Sequence, residues 1–406
     1  MFANCAARKS DNLQQPRRSA ILSSNFRHAT LVDRSEGILP PMRFIVTCAI
    51  ASLLAGFSVT IATAQDLKKG VTDLAQVDAD YHLQGEYSGC VLFADGYRRN
   101  VGLQVVALGD GKFDALWYQG GLPGNGYDGS TRRKFNGATS ETGTTLSSEG
   151  LSVELHADST AIVKNAAGGM LGSLQPQQRY SLTEGARPPA NAIVLFDGQN
   201  IDRLKNAKIT PDGLLEIGAE TKDAYQNFTL HAEFRTPYMP YARGQNRGNS
   251  GFYLQKRYEV QVLDSFGLEL QFNDCASLYR FKAPDLNMSF PPLRWQTYDI
   301  DFTAPRFDTD GKRIAKGRIT VRHNGVVVQN NLELENKTGG GTPEGPNPLP
   351  ILFQNHGNAV HFRNIWLVDY GPHSSAACTP AIADCAGTSA TYCAPAARHH
   401  RGRRCR

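Results

Sequence analysis

The run Arg247-Gly-Asn-Ser-Gly-Phe-Tyr-Leu-Gln-Lys-Arg-Tyr-Glu-Val-Gln-Val-Leu-Asp-Ser265 concentrates groups that can move protons or bind hydroxyls. In an extended chain, Tyr258, Val260 and Val262 share one face, and Glu259 and Gln261 share the other. A carboxyl beside a carboxamide on one polar face suits a general base with a hydrogen-bonding neighbour. Strict alternation sends Asp264 to the Tyr258 side, so it joins Glu259 only through a bulge or after the strand has ended. Just upstream, Gly248-Asn249-Ser250-Gly251 places small residues where backbone can approach a ligand closely. A second cluster, Gln354, Asn355 and His356, follows the apolar run Ile351-Leu-Phe353, and Arg363 sits on the next strand candidate. Tyr253, Tyr258, Tyr279, Trp295 and Tyr298 recur around these groups, and aromatic rings beside polar side chains are surfaces on which sugars stack.

The elements that must position these residues read as strands throughout. From Glu86 to Leu182 short alternating runs (Tyr87–Phe93, Val101–Ala107, Phe113–Trp117, Leu151–Leu155, Ala161–Val163) are separated by glycine- and aspartate-rich turns. Residues 66–183 are therefore expected to form a small all-β domain, opened by a short segment over 66–80 that could be helical. Residues 184–191, rich in proline and alanine, read as a linker. A second all-β stretch spans 192–370, with strand candidates at Phe228–Phe234, Gly251–Leu254, Tyr258–Leu263, Tyr298–Phe302, Arg318–Arg322, Val326–Val328 and Phe362–Leu367. That many strands without a long 3.6-residue period imply two stacked sheets, because one sheet cannot bury its own apolar face.

The chain has 406 residues and a formal charge of +5. Residues 1–64 carry a net +4 and residues 371–406 another +4, which leaves −3 over residues 65–370. The folded part is mildly acidic, so no basic face for nucleic acid is expected. Met42-Arg43, an apolar stretch to Phe57 and Ala62-Thr63-Ala64 form a secretory signal with cleavage before Gln65, which predicts a periplasmic or secreted protein with no stable membrane span. The polar segment before Met42 is expected to precede the true start. Four of the eight cysteines crowd into the Ala/Cys/Arg-rich tail over 371–406, without Cys-x2-Cys spacing, so a disulfide-bonded or disordered tail is expected there and no zinc site. Cys90 and Cys275 read as buried apolar residues.

The order and spacing of Phe196-Asp-Gly198, Arg247–Gly251, Tyr258–Asp264, Trp295-Gln-Thr-Tyr298, Asn324-Gly325, Ile351–Gly357 and Phe362–Trp366 resemble the 3-keto-disaccharide hydrolase family, also called 3-keto-glucoside 1,2-lyase or 3-keto-2-hydroxy-glucal hydratase. The resemblance covers residues 192–370 and implies a concanavalin A-like β-sandwich of the jelly-roll kind. Retaining β-glucanases of similar fold carry Glu-x-Asp-x-x-Glu on the corresponding strand. Here the matching positions are Glu259, Gln261 and Asp264, an amide replacing the middle carboxylate, which does not suit a retaining carboxylate pair.

The chemistry implied is elimination and hydration. A C3 ketone acidifies the C2 proton, a base removes it, donors hold the enolate, the C1 substituent leaves with a proton, and water adds back. By this resemblance Glu259 is the base and Asp264 or His356 the acid. Asn249, Ser250, Gln261, Tyr279, Lys282, Gln354 and Arg363 would line the substrate. No cofactor is certain, and a divalent metal on Glu259, Asp264 and His356 is an open alternative. The competing functions are a non-catalytic carbohydrate-binding module and a cell-surface interaction protein.

Overall fold

The computed structural model describes residues 67–372, apart from 68 and 131. The signal segment, the region before Met42 and the tail beyond Pro372 lie outside the described residues. Asp78 caps the short helix α1 (Ala79–Leu83), its carboxylate accepting from the Tyr81 amide. Eight strands follow: β1 (Gly85–Leu92), β2 (Arg98–Gly109), β3 (Lys112–Gln119), β4 (Arg132–Ser140), β5 (Gly143–Ser148), β6 (Leu151–Leu155), β7 (Ala161–Asn165) and β8 (Met170–Gln177). They run antiparallel in chain order, and β8 pairs back onto β1 to close a barrel. Closure removes both sheet edges. Val101, Leu103, Val105 and Ala107 of β2 belong to the barrel's apolar core. Val106, on the opposite face of that strand, meets Gly267 of the following domain, where a Cβ would stand 2.4 Å from the valine methyl.

The second domain contains β9 (Ile193–Phe196), β10 (Leu204–Lys205), β11 (Leu215–Glu216), β12 (Glu220–Thr221), β13 (Asn227–Arg235), β14 (Ser250–Leu254), β15 (Tyr258–Val262), β16 (Gln296–Thr303), β17 (Arg306–Phe307), β18 (Arg313–Ala315), β19 (Gly317–His323), β20 (Val326–Leu334), β21 (Leu352–Phe353) and β22 (His361–Asp369). Five strands form one sheet, ordered β10-β12-β21-β14-β15. Seven form the other, ordered β11-β22-β13-β16-β19-β20 with β9 on β22, while β17 and β18 pair apart. The protein is an all-β sandwich preceded by a β-barrel. Between the sheets Phe252 of β14 packs edge-on to Tyr298, Phe353 and Phe362, with ring centroids 5.9, 5.4 and 5.4 Å away. Each such buried ring contributes about 2–3 kcal/mol, which fixes Phe252, Tyr258, Val260 and Val262 inward and leaves Gly251, Tyr253, Glu259 and Gln261 on the outer face.

Residues 181–186 run across the outer face of the seven-stranded sheet. Thr183 Oγ1 donates to Asp299 at 2.7 Å, and the Gly185 amide donates to Glu233 at 2.6 Å. Beneath them His231 bonds Asp299 at 2.7 Å and stacks on Trp366. Burial alone would lower the imidazole, but the Asp299 and Glu233 carboxylates outweigh it and raise its pKa. Burial opposes charge on Glu233 too, yet donors from His231, Asn364, Gly185 and Arg363 bring it down to about 2.

Cys275 is a buried free thiol beside the Tyr298 hydroxyl, pushed up to about 11 by burial. Cys90 differs from expectation: it is half-buried on β1 and disulfide-bonded.

Candidate active site

Glu259 lies mid-strand on β15, opposite Tyr253 of β14. The polar face of this strand is buried: Glu259 is 2% exposed and Gln261 1%. Two chain segments cover it. Residues 276–279 run along the outer edge of β15, where the Gln261 amide donates to the Ser277 carbonyl (3.0 Å) and the Tyr279 amide to the Glu259 carbonyl (3.1 Å). The connection from β20 to β21 folds over the carboxyl. Thr338 Oγ1 accepts from the Glu259 amide at 2.7 Å, and Gly339 follows with φ of 31°. A Cβ on Gly339 would stand 2.7 Å from the Tyr279 ring, so the close approach requires glycine. Buried Arg257 anchors this connection, donating to the carbonyls of Pro343 (3.0 Å) and Asn347 (3.0 and 3.1 Å).

The Glu259 carboxyl has an unusual environment. Its Oε2 is fully buried without a hydrogen-bond partner among the described residues. Burial pushes its pKa up to about 7, against a smaller opposing pull from the Tyr253 hydroxyl. Burial, and then the neighbouring Glu259, hold the Tyr253 phenol far above its ordinary value, so it remains an O–H donor. The Gln261 side-chain nitrogen donates to the Ser250 carbonyl (2.7 Å) and to Glu259 Oε1 (3.2 Å). A carboxyl that takes up and releases a proton near neutrality, flanked by a phenol and an amide, can act as a general base with hydrogen-bond donors beside it.

Several of the predicted residues gather here. Asn249 binds Gln245 through Nδ2, and its backbone amide donates to Asn358 of the β21–β22 loop at 2.8 Å. Ser250 donates its hydroxyl to the Gln354 carbonyl at 2.8 Å, and the Gln354 amide donates to the Gly251 carbonyl. Gln354 Oε1 is buried without a hydrogen-bond partner among the described residues. His356 is exposed in that loop and makes no hydrogen bond with the described residues.

Other predicted residues are engaged elsewhere. Val262 and Leu263 both enter the core, so alternation breaks and Asp264 turns to Arg247, whose Nε donates to its Oδ2 at 2.7 Å. Both side chains are buried, and the Asp264 carboxylate is engaged by that ion pair. Arg363 lies on the other sheet. With Phe362 inward, its side chain faces outward, pairs with Glu233 and Glu184, and stacks on Trp295 at 4.0 Å. Its expected place among the substrate-lining residues is corrected by that topology. Lys282 Nζ bonds Asp285 (2.6 Å) and Gln329 (3.0 Å). The metal alternative does not fit either: Asp264 is committed to Arg247, and no three potential ligands converge among the described residues.

Sequence reasoning passed over the cover itself, Thr338 to Gly341, and over Gln245. Three successive glycines at 339–341, in a connection between strands, were the available signal.

The fold and the buried carboxyl site fall within a family whose members act on glycosides. Residues 191–368 match the 3-keto-alpha-glucoside-1,2-lyase-like domain, and through them the chain belongs to that family. The protein is a glycoside-acting enzyme of this glycosyl hydrolase-like group. A proposed glycosyl hydrolase from Parabacteroides distasonis shares 34% identity, with 45% of this chain and 84% of that one covered and a TM-score of 0.42. A second from the same organism shares 18% identity, covering 44% and 94%, with a TM-score of 0.32. No curated protein matches the chain.

Proposed function

We propose that the protein cleaves 3-keto-glycosides by elimination and hydration, and that it works outside the cytoplasm after removal of the segment around residues 42–64. Glu259 takes the C2 proton; the electron pair forms the C2–C3 enolate, to which the Tyr253 hydroxyl and the Gln261 amide donate. The C3 carbonyl re-forms as the electrons make a C1=C2 double bond and the C1–O bond breaks. The departing oxygen receives the proton that Glu259 removed, directly or through water. Water then adds across C1=C2, hydroxyl to C1 and hydrogen to C2, giving 3-keto-glucose and the free alcohol. This route needs one base and oxyanion donors, and it does not need the carboxylate pair of a retaining glycosidase.

The observation that supports the reading is the Glu259 carboxyl, buried beneath a glycine-rich cover, with one oxygen unpartnered among the described residues and its pKa pushed up to about 7 by burial. The test is release of 3-keto-glucose from a 3-keto-glucoside by wild-type protein and by Glu259→Gln. Loss of about two orders of magnitude or more in the variant supports the base role. Equal rates remove Glu259 from it, and binding without turnover by the wild type points to a carbohydrate-binding module.

A further inference from the structure

A cavity of about 530 Å³ lies where the barrel meets the sandwich. The barrel lines it with Asp114, Lys134 and Asn136, and the sandwich with Arg243, Gln245 and Arg247. The side chain of Arg247 is only 4% exposed, and its one hydrogen bond runs from Nε to Asp264. Arg247 lines the cavity, and its two terminal nitrogens make no hydrogen bond with the described residues and are not sealed from solvent, so they are open to a ligand's acceptors. Among the described residues the Arg243 guanidinium donates only to carbonyl oxygens, those of Pro240, Ala242 and Leu108.

The cavity is joined to the Glu259 face through one residue. Gln245 donates to the Asn273 carbonyl at 2.8 Å, and its side-chain oxygen stands 3.0 Å from the Gln261 amide. Gln261 and Glu259 are two residues apart on the same face of β15, roughly 7 Å along the strand. The lining carries three cationic residues (Lys134, Arg243, Arg247) and three acidic ones (Asp114, Glu269, Asp274). Balanced charge does not select an anion. Interspersed donors and acceptors instead match the hydroxyls of a sugar, each of which both gives and accepts hydrogen bonds.

We infer that this cleft holds the leaving sugar of a 3-keto-disaccharide, with Arg247 donating to its hydroxyls and the barrel wall at Asp114 and Asn136 completing the subsite. The inference rests on the proposed function and assigns the barrel a specificity role. Asp114 and Asn136 face each other across β3 and β4, and both are exposed, so Asp114→Ala/Asn136→Ala leaves the core intact.

With the full mature chain, kcat/KM is measured on a 3-keto-disaccharide and on methyl 3-keto-glucoside. The double variant is expected to lower the preference for the disaccharide about tenfold, mainly through KM. An unchanged preference overturns the inference. Should the wild type turn over neither compound, the Glu259 reading fails by itself, and calorimetric titration with the unoxidised disaccharide then reads the cleft. Wild-type binding that weakens about tenfold in the variant supports the subsite; equal affinity, or no binding by the wild type, overturns it.

Discussion

Gly251 and Glu259 stand so close on neighbouring strands that a Cβ added at residue 251 would lie 2.7 Å from Glu259 Oε1. The carboxyl therefore occupies space that only glycine leaves open. Gly251→Ala is expected to push the carboxyl aside without breaking the sheet, since its backbone is not in the left-handed region. The expected outcome is a melting temperature within a few degrees of wild type and a kcat lowered about 100-fold, because misplacing a catalytic group by about 1 Å costs on that order. Unaltered kcat would show that the carboxyl position is not critical.

The burial that raises Glu259 also sets a pH dependence. The base must be ionised, and its pKa is about 7. Turnover of a 3-keto-glucoside is expected to rise with pH, reach half its plateau near 7, and level off above it. A profile already flat from pH 5 upward would mean that another group is the base.

The same shift costs stability, with a defined sign. The folded-state value, about 7, lies above the ordinary 4.5, so the native protein holds its proton where the unfolded chain has lost it. Stability therefore falls as pH rises from about 4.5 to 7 and stays lowered above that, by up to about 3 kcal/mol from this group. Glu259→Gln is expected to melt higher than wild type at pH 8 and about equally at pH 4. Thermal denaturation at both pH values checks this, and a variant that melts lower at pH 8 contradicts it.

The Arg247–Asp264 pair makes a contrasting prediction. Asp264→Ala strands a buried guanidinium and is expected to cost about 3–5 kcal/mol, measured by urea denaturation. Arg247→Met/Asp264→Leu removes both charges and is expected to recover most of that loss. If the single variant keeps wild-type stability and loses only turnover, Asp264 acts in the chemistry and not as the partner of Arg247.

Much of this arrangement was legible in the primary structure, for identifiable reasons. β15 announced itself because Tyr258, Val260 and Val262 alternate with polar residues, and that alternation correctly put Glu259 and Gln261 on one face. β4, β5 and β8 were silent. In a narrow barrel each offers few inward apolar groups, such as Phe135, Leu146 and Leu174, among exposed serines, threonines and lysines. Gly137 also masked β4: a Cβ there would meet the Thr145 carbonyl at 1.9 Å, so tight coiling demands a residue that reads as a turn. The site was half legible. A carboxyl near a strand's polar face can be seen in a single segment, but its cover comes from residues about 80 positions away, at Thr338, and no local pattern reports that distance. Arg363 misled for the same reason, because nothing local says which of two sheets a strand joins.

The strap at residues 181–186 bears on how this enzyme can be dissected. A fragment begun at the family boundary, residue 191, would leave Asp299 and Glu233 without Thr183 and Gly185, and would bare the indole of Trp366 that now donates to the Ala186 carbonyl. Moving the start back to Ser181 restores those bonds but cuts away Arg179, whose carbonyl accepts from Arg294 and whose side chain grips Glu86 of the barrel. In this chain a truncation meant to isolate the sandwich therefore has to break one of these two sets of bonds.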